Sequence, residues 1–167
     1  LGIHTANLGL PGAGGRPRED ILRMAKAIVE GGLSIGANVA CRTVVSDIEP
    51  VVEITQKAGI PIEVCAFIGS SAIRQYAEDW TLERMLKNTR EALRFCRDHD
   101  LPVMYVTEDT TRAHPETLRA LYSEALELGA RRLCVCDTVG HATPDGTRAV
   151  VGFVKGLIEA HDPSVKI

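Results

Sequence analysis

The feature that most restricts this chain is a regular alternation. Short, almost continuously apolar runs are separated by longer amphipathic stretches, and the pattern repeats five times. The runs are Ile3–Leu8, Leu33–Cys41, Ile60–Ile68, Leu101–Val106 and Arg132–Cys136, rich in Val, Ile, Leu, Cys and Ala. Continuous apolar runs suit strands buried on both faces, as in a parallel sheet. The stretches between them carry helix punctuation. Pro17 lies near the start of the first, which runs to Glu30 with Ile21, Met24, Ala25 and Ile28 at helical spacing. Ser46-x-x-Glu49 has the form of a capping box opening the second, which stops at Gly59. Thr81 is a good N-cap for the third, whose core candidates are Leu82, Met85, Leu86, Leu93 and Phe95. Pro115 fits the first turn of the fourth, ended by Gly129, and Thr143-Pro144 opens a fifth reaching about Ala160. Val165-Lys166-Ile167 then begins another strand. Such strict alternation implies parallel strands joined by right-handed crossovers.

Strand starts near residues 33, 60, 101 and 132 give a unit averaging 33 residues. Eight such units need about 260 residues, close to the ~250 of a (β/α)8 TIM barrel. An open doubly wound sheet could be complete at 167 residues. The loop after the first run argues against it, because Gly9, Gly12, Gly14 and Gly15 do not make the G-x-G-x-x-G of that fold. The expectation is an α/β chain in which residues 1–167 form the central part of a single TIM-barrel domain. A start at Leu1 rather than Met fits an excerpt of something longer.

Charge narrows the function. Nineteen basic against 22 acidic residues leave a net charge of −3, where a nucleic-acid or membrane-surface binder would carry a basic excess. Aromatic residues are 4% of the chain, thin for a platform that stacks bases. No apolar run approaches the roughly 18 residues of a spanning helix, and no leader is recognisable, so a cytoplasmic protein is expected. An odd count of 5 cysteines at irregular spacing reads as reduced thiols. On a strand, Cys134 and Cys136 would share a face, either as a metal or redox pair or as two small buried hydrophobes. His4, His99, His114 and His161 show no metal-binding spacing and read as structural or surface residues.

In either architecture chemistry collects at the carboxyl ends of the strands. Those ends present Asn7, then Arg42, Ser70 and Ser71, then Glu108, Asp109 and Arg112, and last Asp137, Thr138 and His141. A rim of guanidinium, hydroxyl and carboxylate groups suits a small, anionic, oxygen-rich substrate. Arg42 reads as a ligand contact or a surface cation, and His141 as a proton shuttle or a solvated loop residue. Glu108 points into the rim if the strand continues to it; Asp109 would then point away and pair with Arg112 or cap a turn. Asp137 reads as scaffold and Thr138 as ligand-facing.

Asp137-Thr-Val-Gly-His-Ala-Thr-Pro144 resembles the Asp-Thr-Val-Gly-x-x-Thr-Pro signature of the 2-isopropylmalate synthase and homocitrate synthase family. The wider group includes 3-hydroxy-3-methylglutaryl-CoA lyase and pyruvate carboxyltransferase domains, all metal-dependent TIM barrels. Thr107-Glu-Asp-Thr-Thr-Arg112 resembles the synthases' Ser-x-Glu-Asp-x-x-Arg, which the lyases generally lack. Asn7-Leu-Gly-Leu-Pro11, Val39-Ala-Cys-Arg42 and Phe67-Ile-Gly-Ser-Ser71 resemble the family's segments after or on barrel strands two, three and four.

The resemblance implies an acyltransferase that condenses acetyl-CoA with a 2-oxo acid in a Claisen-type reaction. It implies Glu108 as the catalytic residue, against the oxo acid or the acyl donor, with Arg42, Thr138, Asn7, Ser71 and His141 lining the substrate site. It further implies a divalent cation (Mg, Mn or Zn), a homodimer as the full enzyme, and no nucleic-acid or membrane partner. The family's metal ligands belong to strands one, seven and eight, whereas this chain matches from strand two to the start of seven, so none is assigned. Three positions depart from the pattern: Asn7 replaces an acidic residue, Cys65 a histidine, and Arg74-Gln-Tyr-Ala-Glu-Asp79 a His-x-x-x-Lys-Leu loop. A carbon–carbon lyase or aldolase of the same group, or a non-catalytic α/β ligand-binding domain, are the alternatives.

Overall fold

The computed structural model describes residues 2–167. Five strands, β1 (Thr5–Asn7), β2 (Gly36–Arg42), β3 (Ile62–Gly69), β4 (Val103–Glu108) and β5 (Arg132–Val135), form one sheet in the order β1-β2-β3-β4-β5. Every pairing is parallel. Each strand neighbours its predecessor, with none of the order reversal that defines a doubly wound sheet. The sheet curls as part of a (β/α)8 barrel, and the open-sheet alternative is set aside. Val165–Ile167 begin a further parallel step, with Lys166 bridging Arg132.

The helices are α1 (Gly15–Glu30), α2 (Val45–Ala58), α3 (Ala72–Ala77), α4 (Leu82–Asp98), α5 (Pro115–Glu127) and α6 (Pro144–His161). Strand residues alternate between two environments. Val39 and Cys41, Val64, Ala66 and Ile68, Val103 and Tyr105, and Leu133 lie in one buried core with Ile48, Met85, Leu93, Leu121 and Val154 of the helices. The alternate set, with Arg42, Cys65, Phe67, Glu108 and Cys134, faces the concave side. Glu63 of β3 pairs there with Arg132 of β5 at 3.0 Å.

Local chemistry explains most boundaries. Thr81 and Thr143 cap α4 and α6 by accepting from the backbone N–H of Arg84 and Gly146. Gly129 follows α5 at φ 93°, the left-handed region that ends helices. Three expectations need correction. Helix α2 starts at Val45 after Val44 with no side-chain cap, so the Ser46 capping box does not form. The reason is Asp47, which lies in the first turn and whose carboxylate folds back onto Arg42. The departing segment Arg74–Asp79 is not all loop: its first four residues belong to the extra helix α3, capped by Ser71. Met24 of α1 is exposed, since the buried stripe of that helix is Ile21 and Ala25 alone.

Candidate functional site

The strand ends separate into two neighbouring groups. At β2 the backbone emerges at Arg42, whose Nε and Nη2 reach the carboxylate of Asp47 at 2.7 and 2.8 Å. This two-pronged bond holds Asp47 below the usual carboxylate range. The approach is close: a Cβ on Gly12, in the turn Pro11–Ala13, would lie 2.5 Å from the Asp47 carboxyl carbon. Arg42 is thus oriented from its base, yet its side chain remains 62% exposed on the concave rim.

Asn7 and Asn38 sit side by side in register on β1 and β2, with Asn7 Nδ2 donating to Asn38 Oδ1 at 2.9 Å. Asn7 Oδ1 accepts from Gly9 N at 3.0 Å, fixing the turn into the loop. Ser71 is buried and accepts from Arg74 N as the cap of α3. Ser70 is buried too, its hydroxyl donating to the Glu108 carbonyl at 2.8 Å. Both serines therefore fasten β3 to β4 and α3 rather than standing free.

Glu108 ends β4 on the concave side, one-third exposed. Its carboxylate lies 4.0 Å from Arg74 Nε, and the two line a cavity of about 270 Å³ together with Arg42, Phe67, Trp80 and Arg84. Arg74 comes to lie there because Gly69 has no side chain: a Cβ would stand 2.9 Å from Arg74 Nε.

The adjacent carboxylate behaves differently. Asp109 adopts φ 61°, turning its buried side chain away from Glu108 into a two-pronged pair with the partly exposed Arg112, the shortest contact being 2.6 Å. Arg112, with help from Ser71, holds Asp109 below the usual range. Its backbone N donates to Thr138 Oγ1 at 2.8 Å, tying the β4 loop to the β5 loop. Asp137 accepts from Ala142 N, His141 N and Thr111 Oγ1, which hold its carboxyl below the usual range. His141 itself is half-exposed, with Nδ1 3.4 Å from Asp137. Thr107, Thr110 and Tyr122 form a buried hydroxyl cluster beneath, with Thr107 Oγ1 2.6 Å from the Tyr122 hydroxyl.

Cys134 and Cys136 share a face with sulfurs 3.8 Å apart, half-buried and free. Hydrogen bonding to Cys136 lowers the Cys134 thiol below its ordinary value. Among the described residues no three His, Cys, Asp or Glu side chains come together to hold a metal. No helix among them is long and apolar enough to cross a membrane.

The structure thus brings Arg42 and Glu108 to one cavity, and joins Thr138 to the neighbouring loop. Asn7 on β1 stands beside Asn38 of β2, and His141 lies on the Asp137 loop. Sequence reasoning passed over Asp47, Arg84 and Asn38, and met Arg74 only as the first residue of a segment that departs from the family pattern. Asn38 had a signal, a lone amide inside an apolar run. The capping-box pattern drew attention from Asp47 to its neighbour. Arg84 carried no local signal, because only the fold turns α4 toward β3.

The chain is 30% identical over 144 residues to a homocitrate synthase of Pyrococcus abyssi, covering 86% of this chain and 38% of that protein. It is 30% identical over 145 residues to a 2-isopropylmalate synthase of Lactococcus lactis subsp. cremoris, covering 86% of this chain and 27% of the relative. The chain spans 27% to 38% of the length of the curated relatives it matches, about a third. In fold it is similar to hydroxymethylglutaryl-CoA lyase from Pseudomonas aeruginosa, with a TM-score of 0.60, 17% identity, and coverage of 80% of this chain and 44% of that one. Residues 1–166 match the family described as HMGL-like, and the chain belongs to that family.

Proposed function

We propose that this chain is the substrate-facing part of an acyltransferase that condenses acetyl-CoA with a 2-oxo acid, as the names of its relatives suggest. The observation that carries the reading is the bond from Asp109 N to Thr138 Oγ1. It ties the Glu108-Asp109 segment to the Asp137-Thr138 segment, so that the two motifs serve one rim. With its oxygen already accepting from Asp109, the Thr138 hydroxyl keeps its proton to donate to a substrate carboxylate or ketone. Glu108 makes no hydrogen bond shorter than 3.5 Å among the described side chains and is open to a ligand or a reacting proton. Arg42, already aimed by Asp47, adds positive charge where an enolate or alkoxide would gather. In this reaction a proton leaves the acetyl methyl, the resulting carbanion attacks the ketone, and water cleaves the thioester. Glu108 is placed to hold or pass on one of those protons.

Family chemistry calls for a divalent cation, Mg, Mn or Zn, as the Lewis acid at the ketone. The side chains of residues 2–167 do not fit that role as a set, and what they contribute is binding, orientation and proton handling. Asn7, Ser71 and His141 complete the proposed substrate lining, and a homodimer is the proposed assembly.

The test is release of free CoA from acetyl-CoA with a panel of 2-oxo acids and each cation. Metal-dependent thiol release with one of them is expected. Its absence with every acid, alongside cleavage of a 3-hydroxy acyl-CoA, would put the lyase reading in its place.

A further inference from the structure

Two thiols meet beside the rim, and the proposed reaction uses neither. Cys134 lies in β5 and Cys136 just beyond it, with their sulfurs 3.8 Å apart. Their backbone is anchored from behind. The Cys134 carbonyl accepts from the Tyr122 hydroxyl at 2.9 Å, and Cys136 N donates to Thr110 Oγ1 at 2.9 Å. Held by that hydroxyl cluster, this stretch of chain presents both sulfurs to one side, near van der Waals contact. No third His, Cys, Asp or Glu joins them among the described residues, so the pair stands as a dithiol rather than as a metal site.

The other cysteines supply the contrast. Cys41 and Cys96 have no exposed surface and Cys65 is buried. Burial pushes the Cys65 and Cys96 thiols up to about 12, which keeps them protonated and inert. Cys134 and Cys136 are only half-buried. Cys134 also opens on a cavity of about 400 Å³ that it shares with Met104, Thr111 and Asp137, ample for a molecule of a few atoms. The Cys136 thiol donates to Cys134 and lowers it, and the same bond, with burial, raises Cys136. One sulfur is thus disposed as the nucleophile and its neighbour as the holder of the proton.

We propose that Cys134 and Cys136 form a modification site, oxidised by a hydroperoxide to a disulfide within the chain. The Cys134 thiolate attacks one oxygen of the peroxide and the O–O bond breaks. With hydrogen peroxide, hydroxide leaves and takes up the proton that the Cys134 thiol had released, giving water and a sulfenic acid on Cys134. The Cys136 sulfur then attacks the Cys134 sulfur. The S–S bond forms, the S–O bond breaks, and the sulfenic hydroxyl departs as a second water with the Cys136 proton. Two thiols are oxidised and one peroxide is reduced. None of this depends on the condensation. Asp137 and Thr138 follow directly, so drawing the sulfurs together pulls on the loop that Thr138 Oγ1 ties to Asp109 N.

Peptide mass after exposure of the protein to hydrogen peroxide tests this. The tryptic peptide Leu133–Arg148 contains both cysteines and no others. It should be lighter by two hydrogens when left unreduced, and should regain its ordinary mass with dithiothreitol. Oxidation there should run at least tenfold faster than at Cys41, Cys65 or Cys96. Cys136→Ser should stop at a sulfenic acid on Cys134, trapped by dimedone, and Cys134→Ser should slow oxidation of Cys136 at least tenfold. If a variant fails to fold, the peptide mass in the parent protein carries the test. An unchanged mass, a sulfinic acid without a disulfide, a disulfide between two chains, or oxidation spread equally over all the thiols would overturn the proposal. Hydrogen exchange at the Asp109 amide should speed up on oxidation, and unchanged exchange there would overturn the transmission to the rim. A disulfide in a protein that releases no CoA would retain the site and count against the synthase reading alone.

Discussion

Glu108 and Asp109 are consecutive carboxylates at the end of one strand, and the two regions they enter could hardly differ more. On the Asp109 side both carboxylates are tied into the scaffold. Arg112 grips Asp109, Thr138 accepts from its backbone, and Asp137 takes three donors. On the Glu108 side the carboxylate faces a cavity and makes no side-chain hydrogen bond among the described residues, its nearest cation being Arg74 at 4.0 Å. A fold can satisfy its buried polar groups almost completely. A carboxylate left free beside a cavity is open to a partner from outside the chain. The contrast separates scaffold from site more sharply than residue type does.

If this division is right, charge removal should act on activity on one side and on stability on the other. The largest effect is expected for Glu108→Gln, which should lower metal-dependent thiol release by at least about 100-fold while leaving the urea midpoint almost unchanged. A large loss of stability instead would make Glu108 scaffold. Asp109→Asn keeps a residue that tolerates the left-handed backbone and removes only the charge. Urea unfolding should show a loss of about 2 kcal/mol, below the range for a fully buried pair because Arg112 is partly solvated. Tyr122→Phe removes the hydroxyl that meets Thr107 at 2.6 Å and the Cys134 carbonyl at 2.9 Å. It should cost about 1–2 kcal/mol in the same measurement, and a neutral result would show that the hydroxyl cluster rearranges.

Acid should act through the scaffold carboxylates. Asp47, Asp109 and Asp137 titrate below their ordinary values, chiefly through Arg42, Arg112 and the Ala142 backbone N–H respectively. Their contribution is complete above the unfolded value near pH ~4 and is lost as pH falls through the lowered folded values. Glu63 works in the opposite sense, since burial raises its carboxyl despite Arg132, so its protonation in acid favours the folded state. Unfolding free energy followed from about pH 6 to about pH 2 should decline in Asp109-containing protein and decline less in Asp109→Asn. The smallest effect is expected for His141→Ala, within about 0.5 kcal/mol of the parent in stability, because its ring is half-exposed and its contact with Asp137 is long.

The strands were readable because a parallel sheet buries both faces, and continuous apolar runs such as Ile62–Ile68 have few other homes. Helix ends at Thr81, Thr143 and Gly129 were readable because capping is local chemistry. Helix α3 was not, since six residues contain too few turns to show a period. The rim residues Arg42, Glu108 and Thr138 were legible from their places at strand ends, and Asp137 from the cost of leaving a carboxylate unpaired beside an apolar strand.

What the sequence by itself determined is the order of elements, their parallel pairing and the list of polar groups at one rim, because each follows from periodicity, caps and motif spacing over a few residues. Which of those groups are spent and which stay open was decided only by the tertiary structure. Asp47 meets Arg42 from the next helix, Asp109 turns away from Glu108 through a left-handed residue, and Arg74 reaches β3 over Gly69. Pairing of charges depends on where separate elements meet in space, and no local pattern in the chain records that.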